Sequence, residues 1–272
     1  MDIFTDATTT GLRRAAEINL MEKSLSFCAV HGARQGGPNP RWFITGSPLP
    51  GYNGIVHASF HPTDVDEEIG AALRPFVECG LPLTWWVGPS SAPSTLGVRL
   101  QAHGLVHTRD VIGMSAVIDN LAAPDDYNLP ALNVEEVASE QGMPAWKSLY
   151  SEGFKSAPAA LQTSIAMLCA VSFKSTSLWR HYLVRRAERV IAIASLFFGG
   201  GVAGLYNLVT ATSERGQGIG SALTLQVFAI ARQMGFQIAT LQTTHPDALR
   251  LYHRLGFEAY CKFSAYQKLR YP

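Results

Sequence analysis

A glycine-rich turn, Arg215-Gly216-Gln217-Gly218-Ile219-Gly220, has the residue types and spacing best suited to chemistry in this sequence. It follows a predicted strand that ends near Thr210 and precedes a predicted helix over residues 219–234. Glycine lets the backbone come close to a ligand and adopt dihedral angles that other residues avoid. The first amides of a helix have no partner within the helix, and the helix dipole adds partial positive charge there. The spacing therefore predicts an anion site of the kind that binds phosphate.

Two familiar phosphate-binding motifs do not fit this turn. The dinucleotide fingerprint needs a third glycine where Ser221 stands and an acidic residue about 20 residues further on. No Asp or Glu occurs between Arg215 and Asp247. The Walker motif needs Gly-Lys followed by Ser or Thr, and this pair is absent. A purely structural turn stays open as an alternative, but Arg215 and a second motif downstream favour a binding site.

The second motif is the stretch ALRLYHRLGF (248–257), preceded by His245-Pro246-Asp247. Together, RGQGIG and ALRLYHRLGF resemble the GNAT superfamily of acyl-CoA-dependent N-acetyltransferases, in motif and in the helix and strand between them. The resemblance is specific over about residues 178–269 and extends more weakly back to Leu132. It implies an α/β fold of the α+β kind, a mixed and mostly antiparallel twisted sheet flanked by helices.

The resemblance implies that acetyl-CoA binds at the glycine turn and the strand before it. The amides from Gln217 to Ser221 would hold the pyrophosphate, and the pantetheine arm would pair with a strand that splays from QIATLQTT (237–244). An amide at Val209 or Thr210 would polarise the acetyl carbonyl, as an oxyanion donor does. The implied coenzyme-binding residues are Leu208, Val209, Thr210, Arg215, Gly216, Gln217, Gly218, Ile219, Gly220 and Ser221.

The resemblance also implies two catalytic residues, Tyr252 and His245. Tyr252 would protonate the leaving thiolate, which requires tight geometry because a phenol has a pKa of about 10; the alternative is a core tyrosine on an amphipathic helix. His245 stands where the family commonly has Asn, and it would bind the pantetheine, assist as a base or cap the next helix. Glu152 is a candidate base, with a surface role as the alternative.

An internal repeat suggests that the fold occurs twice. Residues 96–118 align without gaps with residues 248–270, and Ile69–Leu73 matches Ile219–Leu223. Coincidence among helix-turn-strand patterns is the alternative. The repeat predicts two GNAT-like domains, 1–124 and 125–272, with a polar linker at 122–130.

The first of these domains is predicted to lack the coenzyme site. In the repeat alignment Val65-Asp66-Glu67-Glu68 lies opposite the glycine turn, and Leu100 lies opposite Tyr252. Carboxylates repel a diphosphate. The first domain would then cover the acceptor side of the second or mediate oligomerisation.

Charge and cysteine content exclude several other classes of protein. The 272 residues carry a net charge of +1, which argues against a nucleic-acid partner. The four cysteines form no CxxC pair, and the His57/His61 and His103/His107 pairs have no further ligand, so no metal site is predicted. The uncharged stretch 190–213 contains three consecutive glycines and predicts two strands rather than a membrane span. We expect a cytoplasmic protein without a membrane partner, and a homodimer is left open.

The resulting interpretation is an N-acetyltransferase that moves an acetyl group from acetyl-CoA directly to a primary amine of a small molecule or peptide. One alternative is a catalytically inactive CoA-binding sensor or scaffold on the same fold. A nucleotide-dependent oxidoreductase is a weaker alternative, because the acidic residue that binds the ribose is missing.

Overall fold

The computed structural model describes residues 2–154 and 156–269 as helices, strands and connecting turns. The α helices are α1 (Thr9–Leu25), α2 (Val65–Cys79), α3 (Leu96–Ala102), α4 (Met143–Gly153), α5 (Pro158–Ser172), α6 (Ile219–Gln233) and α7 (Pro246–Arg254). The strands are β1 (Arg34–Gly36), β2 (Arg41–Ile44), β3 (Asn53–His57), β4 (Leu83–Val87), β5 (Val106–Val117), β6 (Val134–Glu136), β7 (Trp179–Arg186), β8 (Arg189–Gly199), β9 (Val202–Thr210), β10 (Ile238–Thr243) and β11 (Glu258–Lys268). This mixture of helices and strands confirms the predicted α/β class.

The chain divides into two compact units. The larger unit is Gly113–Tyr260 together with the N-terminal residues up to Asn19, and the smaller unit is Leu20–Ile112 together with the residues from Cys261 onward. These bounds differ from the predicted division between residues 124 and 125, which falls inside the larger unit. Residues 270–272, which end the predicted second domain and include the last residue of the aligned stretch, lie outside the described residues.

Packing explains why the N-terminal residues belong to the larger unit. Leu12 and Ala15 of α1 are buried against Val202 and Ile238. The side-chain amide of Asn19 donates to the carbonyl oxygens of Phe197, Gly199 and Val202, where the β8–β9 hairpin turns. Such bonds satisfy buried carbonyl groups that would otherwise cost free energy.

The larger unit contains the strand order β5-β10-β9-β8-β7-β6, to which β5 contributes only its residues from Gly113 onward. The pairs β6–β7, β7–β8 and β8–β9 are antiparallel, and β9–β10 is parallel. The stretch 190–213 contains β8 and β9, joined at Gly200 and Gly201, whose φ angles are 66° and 73°. The prediction of two strands joined by a glycine turn is therefore confirmed. No helix of the described chain is long and apolar enough to cross a membrane.

The smaller unit contains the strand order β1-β2-β3-β4-β11. The pair β3–β4 is parallel, whereas β1–β2, β2–β3 and β4–β11 are antiparallel. Its core is a cluster of fully buried apolar side chains that includes Ile69, Phe76, Trp85 and Leu100. Helix α2 ends at Gly80, which takes a left-handed φ of 63° that favours glycine.

Two stretches of the chain repeat one pattern of elements. The order β2-β3-α2-β4-α3-β5 matches β8-β9-α6-β10-α7-β11. In each set the first two strands pair antiparallel and the second and third strands pair parallel. Each set also has a register shift between its first two strands, next to Trp42 in one and between Ile193 and Ser195 in the other. Shared order, pairing and irregularity support the duplication that the alignment suggests.

Several segments were not anticipated from the sequence. Neither helix α1 nor the short strands β1 and β2 were predicted. The predicted linker 122–130 is instead part of the larger unit: it contains a short 3-10 helix, Pro124–Tyr127, and the Tyr127 hydroxyl donates to the Arg254 carbonyl oxygen at 2.6 Å.

Candidate functional site

Strands β9 and β10 diverge at the place where the family resemblance implies a splay. Their parallel pairing covers Ala203–Leu205 and Ala239–Leu241, yet β9 continues to Thr210 and β10 to Thr243. Between these limits β9 contains a bulge at Asn207, whose φ of 54° lies in the left-handed region. Beyond the bulge, β9 is still paired with β8 on its other side. The backbone groups of β9 that face β10 are therefore free of that strand.

The glycine turn leads directly into α6. Gly218 is the N-cap residue with a φ of 75°, and Gly216 has a φ of 77°. No side chain caps the helix, and its first turn contains no acidic residue. The amides of Ile219, Gly220 and Ser221 thus have no acceptor within the helix, which is the arrangement that favours an anion. Arg215 donates from Nε to the Thr210 carbonyl oxygen at 3.2 Å and so ties the turn to the end of β9.

A cavity of about 580 Å³ lies between the end of β9, the turn and α7. Nine of the predicted coenzyme-binding residues line it; Gln217 does not, and its amide lies 3.5 Å from the Glu214 carboxylate. The full lining is Gly153, Phe154, Leu208, Val209, Thr210, Glu214, Arg215, Gly216, Gly218, Ile219, Gly220, Ser221, His245, Asp247, Ala248, Leu251 and Arg254. Gly153 approaches Val209 so closely that a Cβ atom would lie 2.5 Å from both valine methyl carbons.

His245 lines the cavity and also caps α7. Its Nδ1 atom accepts the Asp247 amide proton at 3.2 Å, and Pro246 follows in the first helical position, where it needs no amide partner. With the Nδ1 lone pair used in this bond, the neutral ring has its proton on Nε2. His245 can therefore donate a hydrogen bond from Nε2, but it has no free basic nitrogen.

Tyr252 is buried in α7 and is not among the residues that line the cavity. It is 8% exposed, and its ring packs edge-on against Phe257 with centroids 5.9 Å apart. Burial raises the pKa of its phenol, so the hydroxyl keeps its proton at neutral pH. The neighbouring Leu251 and the preceding Ala248 do line the cavity.

The carboxylates near the cavity have partners of their own. Glu214 pairs with Arg186, and Asp247 pairs with Arg250. Glu152, which the sequence suggested as a base, accepts the Thr212 amide proton at 2.9 Å, and this hydrogen bond lowers the pKa of its carboxyl group. Glu152 therefore ties α4 to the segment before the turn.

The four histidines with metal-like spacing each bond to a different partner. His57 and His61 lie 3.1 Å and 2.8 Å from the hydroxyls of Ser90 and Thr63. His103 and His107 lie 3.1 Å and 2.8 Å from carboxylate oxygens of Asp66 and Asp110. Across residues 2–154 and 156–269 no group of three or more His, Cys, Asp or Glu side chains is arranged to hold a metal ion.

Sequence reasoning missed a buried polar cluster next to the bulge. It joins Ser172, His181, Ser195 and Asn207, which come from α5, β7, β8 and β9. Burial lowers the pKa of His181 to about 4. An isolated polar residue within an apolar strand, such as Asn207 in GLYNLVT, was the available signal.

Comparisons with known proteins agree with this geometry. Residues 144–257 match the acetyltransferase (GNAT) family model. A comparison with curated protein sequences gives no match. A GCN5-related N-acetyltransferase from Kribbella flavida is 19% identical, with a TM-score of 0.73 over 93% of this chain and 95% of that chain. A tandem GNAT protein from the clavulanic acid biosynthesis pathway, without AcCoA, is 14% identical, with a TM-score of 0.61 over 98% and 96%. A functionally unknown conserved protein from Staphylococcus epidermidis ATCC 12228 is 11% identical, with a TM-score of 0.68 over 88% and 95%.

Residues 144–257, which match the acetyltransferase (GNAT) family model, lie in the larger unit and include every residue that lines the cavity. The likeness to solved structures extends over nearly the whole chain and includes a tandem GNAT protein, so the predicted architecture of two GNAT-like domains is confirmed.

Proposed function

We propose that this protein is an N-acetyltransferase that transfers the acetyl group of acetyl-CoA directly to a primary amine of a small molecule or peptide. The observation that carries this proposal is the continuity of the cavity. One wall is the free edge of β9 beyond Leu205, and another is the uncapped start of α6. A thioester on a long arm that ends in a diphosphate needs both features in this order.

The start of α6 supports a diphosphate site. The amides of Ile219, Gly220 and Ser221 supply donors without moving any side chain, and Arg215 adds a positive charge at the same turn. Gly216 has no heavy atom within 4 Å of where a Cβ would stand, so the space beside it is open to a ligand. These residues fit the pyrophosphate of acetyl-CoA.

The end of β9 supports a site for the thioester. An amide at Val209 or Thr210 would donate to the acetyl oxygen, which gains negative charge as the amine attacks. In the balanced reaction the amine nitrogen bonds to the acetyl carbon, the carbon–sulfur bond breaks, and one amine proton is lost as the thiolate takes one up. No covalent enzyme intermediate is needed.

We propose different roles for the two predicted catalytic side chains. His245 donates a hydrogen bond from Nε2 to the coenzyme, because its Nδ1 already accepts from Asp247. Tyr252 donates the proton that the thiolate takes up. Its raised pKa keeps the phenol protonated, and it also makes donation costly unless the bound sulfur lies against the hydroxyl.

The test is a thiol-release assay with acetyl-CoA against amino acids, polyamines, aminoglycosides and peptide N-termini. Acetyl-CoA binding is measured separately by calorimetry. Binding together with amine-dependent thiol release supports the enzyme. Binding without release for any amine supports a CoA-binding sensor or scaffold, and no binding contradicts both.

A pair of glycine variants shows whether the ligand uses this cavity. Gly216→Asp places a carboxylate beside the proposed diphosphate, and we expect it to weaken acetyl-CoA binding by about 100-fold through like-charge repulsion. Gly235→Asp is the matched control, because Gly235 also has a positive φ, 94°, and open space around its Cβ position but lies at the other end of α6. Equal binding by both variants would contradict the diphosphate assignment.

A further inference from the structure

A buried chain of polar side chains connects the end of α5 to the bulge of β9. Ser172 Oγ lies 2.7 Å from His181 Nε2, and His181 Nδ1 lies 2.8 Å from Ser195 Oγ. The side-chain amide of Asn207 donates to Ser195 Oγ at 3.2 Å. Ser172, His181 and Ser195 are 4%, 1% and 0% exposed. We refer to these four residues as the Ser172–Asn207 chain.

The donor of each hydrogen bond in the Ser172–Asn207 chain can be assigned. Ser172 donates its only hydroxyl proton to the Leu168 carbonyl oxygen at 2.5 Å, so its oxygen accepts from His181 Nε2. Burial lowers the pKa of His181 to about 4, so the ring is neutral near pH 7 and Nδ1 has no proton. Nδ1 therefore accepts from Ser195, and Ser195 accepts from the Asn207 amide. The hydrogen bonds that begin at Ser172 therefore fix the orientation of the Asn207 side chain.

The residue held in this way has an uncommon backbone conformation. Asn207 has a φ of 54°, which asparagine adopts more readily than other residues with a Cβ but still at a cost. The register between β8 and β9 shifts at this point, so Leu208 and the residues after it take their direction from the Asn207 dihedral angles. Leu208, Val209 and Thr210 line the cavity directly after it.

We propose that His181 is a positioning residue: through Ser195 it holds the Asn207 bulge and so directs the amides of Leu208–Thr210 at the acyl group of the coenzyme. This inference rests on the proposed function. His181 itself is fully buried and is not among the residues that line the cavity. It acts on the reaction only through the backbone that it holds.

The first test removes the link between His181 and the bulge. Ser195→Ala is expected to lower kcat about tenfold to hundredfold, because small displacements of a reacting geometry cost this much, while the KM for acetyl-CoA changes less than about twofold. Ser115→Ala is the matched control: Ser115 is also a fully buried strand serine of the larger unit, and it bonds to Leu12 and Thr240. An unchanged kcat in folded Ser195→Ala would overturn the proposal. Ser172→Ala, which removes the acceptor of the Nε2 proton, serves if Ser195→Ala does not fold.

A double-mutant cycle separates positioning from general loss of stability. Glycine adopts a positive φ without a side chain to hold it. In an Asn207→Gly background, Ser195→Ala should therefore lower kcat by less than about twofold further. Losses that multiply in the double variant would show that Ser195 acts elsewhere, and would overturn the proposal.

Two measurements do not depend on acetyl transfer and so distinguish failure of this inference from failure of the proposed function. Ring ¹⁵N NMR of the whole protein at pH 7 should show neutral His181 with its proton on Nε2. Amide hydrogen exchange at Leu208–Thr210 should be about tenfold faster in Ser195→Ala. If the protein binds no acetyl-CoA but both results are seen, the proposed function fails and the positioning of the bulge stands. A protonated ring, a proton on Nδ1 or unchanged exchange overturns the positioning role.

Discussion

Helices α6 and α2 hold matching places in the two repeats, but their first turns have opposite chemistry. The first turn of α6 has no acidic residue and open amides. The first turn of α2 contains Asp66, Glu67 and Glu68. The Asp66 carboxylate accepts from Arg99 at 3.1 Å and lies 3.1 Å from a ring nitrogen of His103. The smaller unit thus has its own anion where the larger unit has room for a ligand's anion.

The strands before these helices differ in the same sense. Beyond their parallel pairing, β9 and β10 diverge. The segments that follow β3 and β4, in contrast, are hydrogen-bonded to each other. The Ala92 amide donates to the Ala58 carbonyl oxygen at 3.1 Å, and the Phe60 amide donates to the Ala92 carbonyl oxygen at 2.9 Å. A bridge between Ser59 and Ala92 marks this closure.

Together the two differences show that the same order of helices and strands can have or lack a ligand site because of local changes. In the smaller unit, a carboxylate occupies the helix terminus and backbone bonds occupy the strand edge. Both changes support the prediction that the smaller unit does not bind the coenzyme. Neither change alters the order or pairing of the elements.

Removing one hydroxyl tests whether the larger unit is the active copy, and this is the largest effect that we expect. Tyr252→Phe should lower kcat by about 100-fold or more through loss of the proton donor. Acetyl-CoA affinity should change less than about twofold, because the proton is needed only as the thiolate leaves and not when the coenzyme binds. Steady-state thiol release and calorimetric binding measure the two quantities.

The smaller unit supplies the control for this prediction. Leu100, opposite Tyr252 in the repeat, is fully buried in the apolar core and has no hydroxyl to remove. Tyr266, in β11, offers a hydroxyl in the smaller unit, and Tyr266→Phe should leave kcat unchanged. A Tyr252→Phe protein with full kcat would show that Tyr252, like Leu100, serves packing alone.

The sequence predicted the parts of the site that are local in the chain. The turn at Arg215–Gly220 and the helix after it follow from residues within one short stretch, whereas the divergence near Thr210 was implied by the family resemblance. The Ser172–Asn207 chain could not be predicted in this way, because its members come from four elements whose meeting depends on sheet order. The sequence also could not predict which strand pairs with β4, because β5 and β11 are the aligned repeats and have similar patterns. In the structure β4 pairs with β11. The role of His245 as a helix cap was among the alternatives that the sequence left open.

Acid should destabilise the larger unit before the smaller one. Burial lowers the pKa of His181 in the folded protein to about 4 from the ordinary 6.5, with a smaller contribution from Arg180. The unfolded chain therefore takes up this proton first as the pH falls, so folded stability is lost from about pH 6.5 down to about pH 4. The loss is at most about 3 kcal/mol, at 1.36 kcal/mol per pKa unit.

Amide hydrogen exchange checks this difference strand by strand. Between pH 7 and pH 4.5, protection in β7–β9 should fall more than protection in β2–β4, after correction for intrinsic rates. His57, beside the register shift between β2 and β3, is half-buried and lies 3.1 Å from the Ser90 hydroxyl, and no histidine of the described part of the smaller unit is fully buried. His181→Gln should remove the difference. Equal loss of protection in both sets of strands would contradict the assignment of the acid response to His181.

The smallest expected effect comes from the anion of the smaller unit. Asp66→Asn removes the charge that Arg99 and His103 share, but the Asp66 and Arg99 side chains are 52% and 48% exposed, so we expect a loss of less than about 1 kcal/mol in the free energy of unfolding. Acetyl-CoA binding should keep its stoichiometry of one per chain, because the strands beyond β3 and β4 stay joined. Denaturant unfolding and calorimetry measure the two quantities. If Asp66→Asn bound a second acetyl-CoA, the carboxylate alone would block binding in the smaller unit. The hydrogen-bonded segments after β3 and β4 would then not be what blocks it.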